Sequence, residues 1–133
     1  PVCQPLAGIC GDPLVIDHLG AFTGTTEGRD DLNEGSCQTV DDGEAVYAVT
    51  FNGDTPVCLD TIGSAFDTVL YVREGDCAGG PELGCSDDIE FHNVQSEVEF
   101  QAVSDTTYFI FVDGFTGNRG PYTLNIRLTP CAH

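Results

Sequence analysis

Apolar and polar residues alternate with a period of two along much of the chain, and helical periodicity is rare. Residues 97–102 place Val98 and Phe100 on one face and Glu97 and Glu99 on the other. Residues 122–128 alternate in the same way. Because successive side chains of a strand point to opposite faces, both segments are predicted to be strands with one buried and one solvated face.

Two further runs, residues 68–72 and 108–112, are apolar on both faces, which is typical of central strands covered on both sides. Weaker strand patterns occupy residues 14–19, 45–51, 56–61 and 81–85. Gly, Asn and Asp cluster between these runs and favour turns. About eight short strands predict an all-β fold, an antiparallel β-sandwich. Residues 23–43 lack alternation and are predicted to be a long acidic loop.

The alternation also predicts which side chains point into the sandwich. Glu97, Glu99, Thr123 and Arg127 are expected to face solvent. The expected inward positions are Val46 or Tyr47, Leu70, Val72, Val98, Phe100, Phe109, Phe111, Leu124 and Ile126.

A chain of 133 residues with 41% apolar residues fits one compact domain. We divide it into an N-terminal strap or arm, residues 1–9, and a sandwich domain, residues 10–133. No apolar run approaches the roughly 20 residues that a membrane helix needs. The start of the chain has neither a charged nor an apolar signal segment, so we expect any signal peptide to have been removed.

The chain is strongly acidic: 22 Asp and Glu residues face four Arg, giving a formal charge of −18. This balance excludes an ordinary nucleic-acid binder, because nothing neutralises phosphates, and an anionic membrane surface would repel the chain. Self-repulsion destabilises such a fold unless cations bind. Calcium is the expected cofactor, since carboxylate and carbonyl oxygens are its preferred ligands.

A set of carboxylates is the candidate calcium site. If residues 68–72 and 81–85 form a hairpin, Asp67 lies roughly opposite Asp88, and such opposed like charges are destabilising without a cation. Asp87 would join them, the acidic loop offers Asp31, and the turn after residue 112 offers Asp113. The alternative is that these are solvated acidic loops; no complete EF-hand loop is present.

Seven cysteines without zinc-type spacing indicate disulfides, and therefore an exported protein, secreted or on the cell surface. The predicted pairs are Cys77 with Cys85, Cys37 with Cys58, and Cys10 with Cys131. Cys3 is left over and is the candidate for an intermolecular bond. Spacing also allows Cys3 to pair with Cys131 instead of Cys10.

Several motifs resemble the bacterial pre-peptidase C-terminal domain family, in the disulfide-bearing form found with secreted proteins of myxobacteria and their relatives. The likeness lies in residues 24–31 before Ser36-Cys37, in residues 45–47, in GSAFDTVLYVR at residues 63–73 with LGCSDD at 83–88, and in residues 108–114 before GPYTL at 120–124. The resemblance implies a jelly-roll-like sandwich without catalysis, attached to exoproteins. It also implies collagen and calcium binding in its clostridial collagenase relatives.

No catalytic motif stands out: His92 lies near Ser96 among acids, but neither a nucleophile elbow nor a zinc-protease motif is present. We therefore predict a secreted, non-catalytic, calcium-binding module that helps an exoprotein bind a protein or polysaccharide surface, or aids its secretion. Phe22, Phe91 and Phe115 are candidate contact residues. The alternative is a structural subunit that associates with copies of itself through the uncharged residues 1–8, forming a filament or surface layer.

Overall fold

The computed structural model describes residues 8–27, 35–37, 43–86, 95–114 and 119–131. These residues form nine strands: β1 (Leu14–Val15), β2 (Gly20–Thr25), β3 (Ala45–Thr50), β4 (Thr55–Asp60), β5 (Thr68–Glu74), β6 (Glu82–Ser86), β7 (Glu97–Ala102), β8 (Thr107–Gly114) and β9 (Pro121–Arg127). The described part of the chain contains no helix, and none that could span a membrane. The predicted all-β class is confirmed.

The strands form two sheets that pack face to face. One sheet has the order β1-β3-β8-β5-β6 and the other the order β2-β9-β4-β7. Their strand pairs are antiparallel, except that the two-residue strand β1 runs parallel to β3. The predicted hairpin of residues 68–72 and 81–85 is present as β5 and β6. The arrangement is a β-sandwich, as predicted.

The main core lies between the sheets and follows the alternation of the sequence. In β9, Tyr122, Leu124 and Ile126 are buried, whereas Arg127 is exposed. In β7, Val98, Phe100 and Ala102 are buried and Glu99 is exposed, as predicted. Glu97 and Thr123, which were expected to be exposed, are half-buried.

A second apolar layer covers the outer face of the five-stranded sheet and explains the runs that are apolar on both faces. Its buried members are Val46, Val69, Tyr71, Cys77 and Phe111. β5 and β8 are interior strands of this sheet, as predicted for runs apolar on both faces. Such strands lack polar contrast between their faces, so alternation cannot show which face points inward.

The inward face of β8 was therefore predicted wrongly. Tyr108, Ile110 and Val112 point into the main core, whereas Phe111 and the half-buried Phe109 belong to the outer layer. In β3, Tyr47 points into the main core and Val46 into the outer layer. The other predicted inward positions, Leu70, Val72, Val98, Phe100, Leu124 and Ile126, are confirmed.

The predicted first strand at residues 14–19 and the long loop at residues 23–43 also need correction. Only Leu14 and Val15 form β1, and a separate strand, β2, pairs with the whole of β9 from Gly20 to Thr25. The sequence GAFTGT has little contrast between its faces, which hides this strand from a periodicity argument. Residues 28–34 and 38–42 of the predicted loop lie outside the described residues.

The six cysteines named above form three disulfides, but all three predicted pairs are wrong. The bonds are Cys10–Cys77, Cys37–Cys85 and Cys58–Cys131. Cys37 and Cys58 cannot bond because they lie on the outer faces of opposite sheets. Cys37 is bonded to Cys85, which lies across from Tyr71 in the five-stranded sheet. Cys58 lies across from Glu99 and Arg127 in the four-stranded sheet.

The loop between β5 and β6 separates Cys77 from Cys85. This loop turns towards residues 8–12, so that Cys77 bonds Cys10, and the backbone of Gly8 accepts a hydrogen bond from Val46 beside it. Cys131 follows β9 and reaches Cys58 instead of Cys10. Cys3 and the rest of residues 1–7 lie outside the described residues.

Candidate metal centre

Two buried acids meet on the outer face of the five-stranded sheet. The β3–β8 ladder pairs Ala45 with Val112, so Glu44 lies one position further along, across from Asp113. The exposed fractions of Glu44 and Asp113 are 1% and 0%. Like charges in such opposed positions repel each other, and their removal from water adds a large free-energy cost. This pair is therefore the strongest candidate for binding a cation in the described chain.

Tyr71 connects the acid pair to the apolar layer. Its hydroxyl donates a 3.0 Å hydrogen bond to Oε2 of Glu44, and its ring stacks on Phe111 with 4.4 Å between centroids. Burial raises the pKa of the Tyr71 hydroxyl far above its ordinary range, and the negative charges of Glu44 and Asp113 raise it further. The opposing effect of the nearby Arg73 is smaller. Tyr71 is therefore held neutral as a hydrogen-bond donor.

Arg73 lies against one side of this layer. Its guanidinium lies 5.0 Å from the centroid of the Phe111 ring and 5.5 Å from that of Tyr71. One guanidinium nitrogen, Nη1, donates hydrogen bonds to the backbone carbonyls of Cys77 and Ala78. The positive charge is thus used to stack on the rings and to fix the β5–β6 loop.

A short segment containing Gly35 and Cys37 covers Tyr71. The disulfide Cys37–Cys85 anchors it to β6, and the backbone N–H of Cys37 lies 3.1 Å from Sγ of Cys85. Gly35 packs so closely that an added Cβ would lie 2.7 Å from Cδ1 of the Tyr71 ring. The buried acids therefore lie in a layer that disulfides fasten on two sides, through Cys37–Cys85 and Cys10–Cys77.

Two of the five predicted ligands, Asp67 and Asp113, lie within the described residues. Asp113 is fully buried at the end of β8, across from Val69, and Asp67 is half-buried just before β5. Oδ2 of Asp113 and Oδ1 of Asp67 are both shielded from solvent. Asp31, Asp87 and Asp88 lie outside the described residues.

Glu44 was missed by the sequence argument. A signal lay in its position immediately before an apolar strand, where an acid is unexpected if the strand is central, and where the resembled family often has Asp. Which acid lies across from it depends on the pairing of β3 with β8, and these strands are about 60 residues apart in sequence.

A different trio of metal-type side chains has suitable spacing in the described chain. Sγ of Cys58, a carboxylate oxygen of Glu97 and Sγ of Cys131 lie within 4.8 Å of one another. Cys58 and Cys131 form a disulfide, so neither offers the thiolate that zinc requires. Among the described residues, Glu44, Asp67 and Asp113 do not form such a closed trio, so a complete calcium shell needs further oxygens.

The other sequence candidates fall elsewhere. Phe22 is half-buried in β2 and packs against the main core, with its ring 6.0 Å from that of Tyr47. Ser96 is buried, and its hydroxyl hydrogen-bonds with Thr68. His92, Phe91 and Phe115 lie outside the described residues.

Comparison with known proteins shows the fold. No protein-family model and no curated protein matches the chain. Among solved structures, the chain is similar to the pre-peptidase C-terminal domain of a collagenase from Bacillus anthracis, with a TM-score of 0.62 and 12% sequence identity. The similarity covers 87% of this chain and 95% of that domain. The chain therefore has a fold like that of a pre-peptidase C-terminal domain.

Proposed function

We propose that the protein is a secreted, non-catalytic β-sandwich module that binds calcium and accompanies an exoprotein. The observation that carries the calcium part is the burial of Glu44 and Asp113 in opposed positions on neighbouring strands. The accessory part is supported by the likeness to a domain that is one part of a collagenase. The three disulfides favour an oxidising, extracellular location.

The physical case for a cation begins with desolvation. Transfer of a carboxylate out of water costs several kcal/mol in real proteins, and a second carboxylate nearby adds repulsion. The hydrogen bond from the neutral Tyr71 to Glu44 offsets part of this cost. Arg73 stacks on the neighbouring rings and hydrogen-bonds to backbone carbonyls. A bound divalent ion would neutralise both acids at once.

Calcium fits this site better than the alternatives. All the candidate side-chain ligands are carboxylates, whereas zinc prefers nitrogen and sulfur ligands. Calcium accepts six to eight oxygens in an adaptable geometry, and magnesium demands a strict octahedron. We propose Glu44, Asp113 and Asp67 as ligands from the described chain. The remaining proposed ligands are Asp31, Asp87 and Asp88.

Bound calcium would add a further link between strands that already hydrogen-bond to one another in the larger sheet. Glu44 directly precedes β3, Asp113 is the next-to-last residue of β8, and Asp67 directly precedes β5, so one ion would fasten three neighbouring strands of the larger sheet. Such an ion stabilises only the folded state, and its contribution grows with free calcium concentration. The proposed role of the site is therefore structural.

Terbium luminescence tests the proposal. Terbium replaces calcium in oxygen sites, and tyrosine excitation sensitises it; the chain has no Trp, so the signal reports on tyrosines such as Tyr71. We expect emission that calcium displaces and that magnesium displaces poorly. Asp113→Asn and Glu44→Gln should each weaken binding by about tenfold or more. The exposed-residue controls Asp17→Asn and Glu27→Gln should bind as the parent protein does.

Thermal unfolding supplies an independent readout. Calcium at a hundredfold excess over its Kd should add about 2.7 kcal/mol of stability. For a chain of this length that corresponds to a Tm rise of about 10 °C. A Tm that is indifferent to both calcium and chelator, together with terbium emission unaffected by Asp113→Asn, contradicts the proposed site. If Asp67→Asn has no effect while Asp31→Asn does, the ligand set is wrong but calcium binding stands.

A further inference from the structure

The sandwich opens into a cleft of about 450 Å³ at the end away from the candidate metal centre. Its floor consists of Ile16, Val49 and Phe51, which are buried members of the main core. Leu19 and Leu128 form its apolar rim, and 50% and 41% of their respective surfaces are exposed to solvent. A volume of this size accommodates a small ligand or one to two large side chains.

Exposed apolar side chains are concentrated at this end. The large apolar residues that the described chain exposes are Val15, Leu19, Ile62, Val103 and Leu128. Leu19 and Leu128 line the cleft, and Val15 adjoins its floor residue Ile16. Val103 belongs to the turn that joins β7 to β8, whose neighbour Ser104 donates a 2.8 Å hydrogen bond to Asp54 at the cleft. Only Ile62 among them lies at the opposite end of β4.

The polar lining of the cleft includes acidic side chains beside His18, Thr50, Asn52 and Thr55. Asp17 and Asp54 line it, and Asp105 lies in the adjacent turn, where its N–H donates to the backbone of Phe51. The Asp17 side chain is 82% exposed and accepts a 2.7 Å hydrogen bond from His18, which holds the pKa of Asp17 below its ordinary value. Among the described residues no Arg lines this cleft, and His18, next to Asp17, is the one basic side chain in its lining. The site therefore combines an apolar floor with a rim that carries two acids.

We infer that this cleft binds a linear peptide segment in which a large apolar side chain stands beside arginine or lysine. The apolar side chain fits the space above Ile16 and Phe51, and the cation pairs with Asp17 or Asp54. β1, which runs directly into the cleft, is the end strand of the five-stranded sheet. No other described strand pairs with its outer side, and an exposed strand edge can accept an extended peptide, which favours a peptide over a small organic cation.

The probe is a capped pentapeptide of sequence glycine–arginine–leucine–arginine–glycine, titrated into the oxidised full chain and followed by amide NMR shifts. We expect saturable shifts confined to residues 16–19 and 51–55. Replacement of leucine by serine in the peptide should weaken binding by about tenfold or more, the effect of losing one buried apolar side chain. Replacement of both arginines by glutamate should abolish binding.

Matched protein variants locate the site. Leu19→Ser should weaken binding by about tenfold, whereas Ile62→Ser, which removes an equally exposed apolar side chain elsewhere, should not change it. Asp17→Asn should weaken binding about two- to fivefold at low salt, as expected for an exposed charge pair. Glu27→Gln, beyond the far end of β2, is the charge control.

Three results overturn this inference. The first is no shift at 5 mM peptide, and the second is equal binding of the serine or glutamate peptides. The third is unchanged binding by Leu19→Ser together with Asp17→Asn. Nuclear Overhauser contacts in the free protein between Leu19 and residues 1–7, or a dimer that buries the cleft, would show a different occupant and also overturn it. None of these results depends on calcium.

Discussion

Removal of the Cys37–Cys85 disulfide should separate a stability effect from a metal-binding effect. This bond fastens the segment that covers Tyr71, next to Glu44 and Asp113. Its natural control is Cys58–Cys131, which lies on the outer face of the other sheet. The two double variants are Cys37→Ala with Cys85→Ala, and Cys58→Ala with Cys131→Ala.

The expected loss of stability is nearly the same for both variants. The bonded cysteines are 48 residues apart in one case and 73 in the other. The chain-entropy model converts these separations into about 4.1 and about 4.4 kcal/mol at 25 °C. For this chain length either loss lowers Tm by about 15 °C. The small difference arises because loop-closure entropy grows only with the logarithm of loop length.

The expected effect on metal binding differs between the variants. Loss of Cys37–Cys85 frees the segment that covers Tyr71, the hydrogen-bond donor to Glu44, and should admit water to this layer, so terbium affinity should fall by about tenfold or more. Loss of Cys58–Cys131 leaves this layer intact, and terbium affinity should remain within about twofold of the parent value. Both measurements are made at 10 °C, well below either transition, with circular dichroism to verify that each variant is folded.

Two outcomes would refute this reasoning. Equal terbium affinity in both variants would show that the cover contributes nothing to the metal site. A stability loss below about 1 kcal/mol on removal of Cys37–Cys85 would show that this bond does not close a long loop in the folded protein. Peptide mapping under non-reducing conditions checks the three observed pairs directly against the pairs that spacing favours.

Three further predictions follow from individual residues. The raised pKa keeps Tyr71 protonated in the folded protein, whereas the unfolded residue ionises above about pH 10. The free energy of unfolding of the parent protein should therefore fall by about 1.4 kcal/mol per pH unit above that pH because of this residue alone. Tyr71→Phe should lack this part of the pH dependence when unfolding by urea is followed between pH 9 and 11. Gly35→Ala should cost about 1–3 kcal/mol because its Cβ meets the Tyr71 ring at 2.7 Å, whereas Gly53→Ala, with open space around it, should be nearly neutral in the same urea assay. Leu124→Ala should cost about 2–5 kcal/mol because this side chain is fully buried, whereas Ile62→Ala at 51% exposure should cost under about 1 kcal/mol; equal Tm values for these two variants would contradict the core assignment.

The sequence alone determined the strands whose two faces differ in polarity. In β7 and β9, buried Val98 and Leu124 alternate with polar neighbours. Because side chains of a strand alternate between its two faces, only one orientation of each strand buries these apolar residues. The runs in β5 and β8, apolar on both faces, correctly indicated strands in the interior of a sheet. Composition also indicated disulfides, because seven cysteines lacked any metal-binding pattern.

Tertiary structure decided what local patterns do not encode. β8 is apolar on both faces, so only its pairing with β3 and β5 shows that Ile110 points inward and Phe111 outward. Disulfide partners depend on which sheet face each cysteine occupies, and not on their separation along the chain. The acid pair Glu44 and Asp113 likewise arises from the pairing of β3 with β8, which brings together carboxylates that the sequence holds 69 residues apart.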